Sequence, residues 1–108
     1  MDKNTAIVRK LREFRKDISK EIKVDKLLFF GSRATGKYTS DSDVDLLIVS
    51  DNFKREKSFQ RAVRLYDYWN LDYPVDFLCL TPKEFARKKK QVGTVQQAVK
   101  EGIGITVS

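Results

Sequence analysis

The chain has 108 residues, 41% of them hydrophobic, a length and composition that fit residues 1–108 as a single domain with its own core. Its 22 Lys and Arg outnumber 15 Asp and Glu for a formal charge of +7, which points to anionic partners such as nucleotides, nucleic acid or an acidic protein face without choosing among them. Histidine is absent and Cys79 is the single cysteine, which excludes imidazole bases, Ser-His-Asp and Cys-His triads, the usual zinc sites and any intrachain disulfide.

No apolar stretch approaches the roughly 18 residues of a membrane span. Arg9, Lys10, Arg12, Arg15 and Lys16 interrupt any signal-peptide pattern, so a cytoplasmic protein without membrane association is expected. Ile7, Leu11, Phe14, Ile18 and Ile22 recur at spacings of three and four, predicting an amphipathic helix over residues 5–22 with Asn4 as its N-cap. Leu27-Leu28-Phe29-Phe30 then reads as a short buried strand. Gly31-Ser32 ends it with a sharp turn whose backbone N–H groups attract phosphate.

The stretch from Gly31 to Ser42 is rich in Gly, Ser and Thr, which suits a short helical turn and a loop. Residues 43–49 form the next strand, and a period of two puts Asp43 and Asp45 on one face, opposite Val44, Leu46 and Ile48. The short connection makes these two strands antiparallel. Phe59, Ala62, Val63, Leu65, Tyr66 and Trp69 then predict a second helix over residues 54–70.

Tyr73-Pro74 introduces a third strand over residues 75–80, in which Asp76 faces away from Val75, Phe77 and Cys79. Thr81-Pro82-Lys83-Glu84 is a capping box with proline at the first helical position and starts a helix reaching Lys90. The basic run Arg87-Lys88-Lys89-Lys90 at its end reads as a solvated face. A short helix over residues 94–101 stops at Gly102, leaving residues 103–107 as a tail or an added edge strand. The expected class is α/β of the α+β type, a small mixed sheet with helices mainly on one face.

Asp43, Asp45 and Asp76 make a three-carboxylate set if their strands neighbour one another, and like charges on one strand face call for a compensating cation. With no histidine to compete, these oxygen donors suit Mg2+ or Mn2+. Asp41 reads as a turn former, and Ser32 lacks the base that a covalent nucleophile needs. Arg33 follows the turn either as a phosphate ligand or as an exposed solubilising cation, and Lys37 has still less claim on a phosphate.

Gly31-Ser32, ten residues, then Asp43-Val44-Asp45, followed by Asp76 in Val-Asp-Phe, resembles the signature of the DNA polymerase β-like nucleotidyltransferase superfamily. From the first helix to the Asp76 strand, the chain is similar to the minimal nucleotidyltransferase proteins of that superfamily. The resemblance implies the polymerase β-like fold, with Gly31 and Ser32 holding the triphosphate of ATP or another NTP. It implies divalent metals on Asp43 and Asp45, with Asp76 helping to bind the one that activates an acceptor hydroxyl.

The resemblance also implies a partner to supply the acceptor surface, commonly a helical HEPN-family toxin ribonuclease. Some minimal nucleotidyltransferases are antitoxins that transfer AMP to a tyrosine of that partner. Two rival readings stay open. One is transfer to a small-molecule hydroxyl in a pocket completed by a homodimer, and the other is a non-catalytic antitoxin acting by contact alone.

Overall fold

The computed structural model describes residues 5–106, so Asn4 and Val107, named above as an N-cap and as the end of a tail, lie outside it. Helix α1 (Thr5–Ile18) buries Ile7, Leu11, Phe14 and Ile18 as its spacing predicts. It ends earlier than residue 22. The Ser19 hydroxyl donates back to the Arg15 carbonyl at 2.6 Å, and Glu21 N bonds Ile18 O at 3.0 Å, tightening the last turn. Ile22 is buried all the same.

Four strands form one mixed sheet in the order β3-β2-β1-β4. Strand β1 (Lys26–Phe30) runs antiparallel to β2 (Val44–Val49), with Phe30 opposite Asp45. Strand β3 (Val75–Leu80) lies parallel to β2, with Asp76 opposite Asp45. Residues Ile103–Gly104 add the edge strand β4, antiparallel to β1 with Ile103 opposite Phe29.

Between β1 and β2 sits the short helix α2 (Ser32–Thr35). The crossover from β2 to β3 is not one helix over 54–70. It is a 3-10 turn (Asp51–Arg55), the short helix α3 (Ser58–Arg61) and a second 3-10 stretch (Val63–Tyr68). Leu65 is buried in this segment, but Phe59, Val63 and Tyr66 are exposed, so the apolar spacing overstated the inward face. Arg61 is drawn inward instead, donating to Glu56 O and Cys79 O at 3.1 Å each. Tightened i to i+3 bonds such as Leu65 N to Ala62 O at 3.0 Å fit the segment around that anchor.

Helices cover both faces of the sheet, rather than mainly one. Val44, Leu46 and Ile48 pack with Leu27, Phe29 and α1, while Leu28, Leu47 and Val49 pack with Phe85 of α4 (Pro82–Lys88) and Val95 and Ala98 of α5 (Thr94–Glu101). The uninterrupted apolar runs of β1 and β2 require this, because a central strand apolar on both faces must be covered twice. No helix among the described residues is long and apolar enough to cross a membrane.

The start of α4 is fixed by the expected capping box: Glu84 N donates to the Thr81 hydroxyl at 3.1 Å and Thr81 N to the Glu84 carboxylate at 2.9 Å. The same carboxylate takes a 2.6 Å ion pair from buried Arg61, tying the crossover to α4. That hydrogen bond, chiefly, holds the Glu84 carboxyl below its ordinary value. Glu84→Gln is expected to cost about 1.5–3 kcal/mol at neutral pH, the range for a hydrogen bond to a charged group. Because the folded-state value is lowered, the stabilisation is present above the ordinary glutamate range and is lost as pH falls through the lowered one. Denaturant melts across pH should therefore show the parent and variant converging in acid.

Candidate active site

The last residue of β1, Phe30, is followed by Gly31 at φ +82°, in the region open to glycine. A Cβ at Gly31 would overlap the Asp45 carboxylate, lying 3.1 Å from Cγ and 3.3 Å from Cβ of that side chain. The turn thus comes down directly on Asp45. Ala34 N and Thr35 N both bond Gly31 O at 3.1 Å, so the turn leads into α2, with half-buried Ser32 as the first helical residue.

Arg33 is half-buried and engaged with the loop that follows. Its Nε donates to Ser42 O at 2.7 Å, and Nη2 reaches Ser40 O at 3.4 Å and Thr39 O at 3.5 Å. The guanidinium lies between the rings of Tyr38 and Tyr73, 4.9 and 4.7 Å from their centroids. Arg33 is therefore a staple that joins α2, the loop entering Asp43 and the turn entering β3. Sequence reasoning missed this role, since loop carbonyls leave no side-chain pattern. Lys37 and Asp41 are exposed on the same loop.

Asp43 is exposed one residue before β2, Asp45 is half-buried, and Asp76 is exposed on the edge strand β3. The parallel register places Asp45 and Asp76 side by side. Burial pushes the Asp45 carboxyl above its ordinary value, and the charges of Asp76 and then Asp43 push it further. Asp45 and Asp76 line a cleft of about 600 Å³ between the sheet and the α4–α5 turn. Phe30, Lys88, Gln91 and Thr94 also line it.

Asp43 stands outside that lining, and among the described residues no three acidic or cysteine side chains close round one ion. The pair Asp45–Asp76 still fits magnesium, which is typically held by one or two carboxylates with water and substrate phosphates completing its shell. Cys79 is no rival ligand or nucleophile: burial, above all, pushes its thiol up to about 12.

The chain is similar to known proteins in sequence and fold. The model of the nucleotidyltransferase domain family matches residues 8–103, nearly the whole chain. The chain belongs to the nucleotidyltransferase domain family. It is 35% identical over 71 residues to the proposed protein adenylyltransferase MJ0141 of Methanocaldococcus jannaschii, covering 64% of this chain and 72% of that protein. Its fold is shared with a crystal structure described as a proposed nucleotidyltransferase of Sulfolobus solfataricus, with a TM-score of 0.65 at 23% identity. That match covers 92% of this chain and 78% of the other. The nucleotidyltransferase reading of the sequence is thereby upheld, and the chain is an enzyme of that class.

Gly31→Ala tests how closely the turn approaches the carboxylate. The variant must strain its backbone and displace Asp45, so it is expected to lose about 1–3 kcal/mol of stability. It should also lose whatever rise in melting temperature Mg2+ with NTP gives the parent. Thermal melts with and without both ligands check this, and a parent-like melting temperature with an intact response would contradict the close approach.

Proposed function

We propose that residues 1–108 form a single minimal nucleotidyltransferase domain that moves AMP from ATP onto a protein hydroxyl. The observation that carries this reading is the side-by-side register of Asp45 and Asp76 beneath the Gly31 turn. In the reaction, the acceptor oxygen bonds to the α-phosphorus, the bond from that phosphorus to the pyrophosphate oxygen breaks, and the hydroxyl proton is released.

Asp45 and Asp76 would hold Mg2+, or Mn2+ in its place, with Asp43 adding negative charge at the entrance to β2. A bound divalent metal supplies activation of the attacking hydroxyl and charge neutralisation on the departing pyrophosphate. Gly31, by lacking a side chain, leaves Asp45 in place, and Gly31 and Ser32 would bring backbone N–H groups to the triphosphate. Arg33 would serve by holding the loop that enters Asp43, rather than by binding phosphate.

Two observations favour a protein acceptor. The relative MJ0141 is named for protein adenylylation. Asp76 is exposed on the edge strand β3, where a macromolecule can reach it. The resemblance to minimal nucleotidyltransferases carries the further step, that the acceptor is a tyrosine of a helical HEPN-family toxin and that this chain is its antitoxin in the cytoplasm. A nucleotide on that tyrosine would add bulk and negative charge that repel RNA.

The test is intact-mass spectrometry of the partner after incubation with this chain, ATP and magnesium. Added AMP units are expected with the parent, and Asp45→Asn should lower transfer by orders of magnitude while the protein stays folded. A partner left unmodified yet inhibited equally well by Asp45→Asn would overturn the catalytic reading in favour of neutralisation by contact.

A further inference from the structure

The basic run at the end of α4 is not uniform. Arg87, Lys89 and Lys90 are exposed, whereas Lys88 is half-buried and lines the cleft that holds Asp45 and Asp76. Its neighbour Lys89 is exposed and outside the cleft lining, with its ammonium 5.6 Å from the centroid of the Phe85 ring. The capping box fixes Pro82 as the first helical residue, Phe85 falls inward, and Lys88 follows three residues later on the same side.

Lys88 is the one Lys or Arg among the residues lining this cleft. The ion pairs among the described residues do not include it. The two carboxylates lie in the same cleft without pairing with it, so the space between opposite charges is left open. A ligand that satisfies both must be anionic toward Lys88 and carry cations toward the carboxylates. A metal-bound polyphosphate has that character, and lysine is a common point-charge ligand for phosphate.

We propose that Lys88 is the side chain that grips the polyphosphate of the incoming NTP and the pyrophosphate that leaves. The assignment rests on the nucleotidyl-transfer reading of this cleft. Gln91 and Thr94, beside Lys88 in the same wall, supply neutral polar groups and no competing charge.

Titration calorimetry of the parent, Lys88→Gln and Lys88→Arg with Mg·ATP and with Mg·pyrophosphate tests it, with thermal melts confirming that each variant folds. Lys88→Gln is expected to weaken both ligands tenfold or more, and Lys88→Arg to retain most of the affinity. A folded Lys88→Gln that binds both ligands as tightly as the parent would overturn the assignment while leaving the nucleotidyl-transfer reading intact. An Arg variant as weak as the Gln variant would overturn a role for the charge. A parent that binds neither ligand would overturn the reading of the cleft itself, and Lys88 with it.

Discussion

Two carboxylates set side by side on neighbouring parallel strands repel one another, and the arrangement around Asp45 and Asp76 keeps that repulsion in place. The Gly31 turn closes over Asp45, and burial adds to the cost of its charge. Strand pairing fixes the separation, because a slip of one residue in β3 would carry Asp76 to the other face and expose the apolar residues now packed against α1. Among the described residues no ion pair offsets either carboxylate. That is the expected condition of a place built to receive a cation and its anionic ligand.

The rest of the architecture serves this pair. The core under Val44, Leu46 and Ile48 anchors β2 to α1, and the second core under Leu47 and Val49 anchors it to α4 and α5. The same sheet face that carries the two carboxylates thus also carries an apolar floor, with the α4–α5 turn forming the far wall of the cleft. Arg61 and Glu84 lock α4 to the crossover, which fixes the position of that wall. Arg33 and its two tyrosines do the same for the loop that delivers Asp43.

Much of this was legible in the sequence where periodicity and spacing speak directly. The outward turn of Asp76 and the capping box at Thr81 follow from patterns of two to four residues, and the antiparallel β1–β2 pair from the short connection between the strands. The helices on both sheet faces were written in the unbroken apolar runs of β1 and β2, although alternation by itself marks only the face opposite Asp45 as apolar. What pattern could not carry was long-range. The broken crossover depends on Arg61 bonding to Cys79 O, and the Arg33 staple depends on loop carbonyls. The separation of Lys88 from its exposed neighbours depends on which residue of the run the cleft reaches, and a run of like charges does not show that. Asp43 precedes the strand and stands outside the lining of the cleft, while its charge still acts on Asp45.

The central claim, that Asp45 and Asp76 are held in mutual repulsion for the sake of a cation-bearing ligand, is tested most directly by the melting temperature of Asp76→Asn with and without Mg·ATP. Relief of a cross-strand like-charge pair worth roughly 0.2–1 kcal/mol should raise the melting temperature of the ligand-free variant by about 1–5 °C. Saturating Mg·ATP should then stabilise the parent and leave the variant nearly unchanged, reversing their order. A ligand-free Asp76→Asn that melts below the parent, yet gains as much from Mg·ATP, would contradict the account.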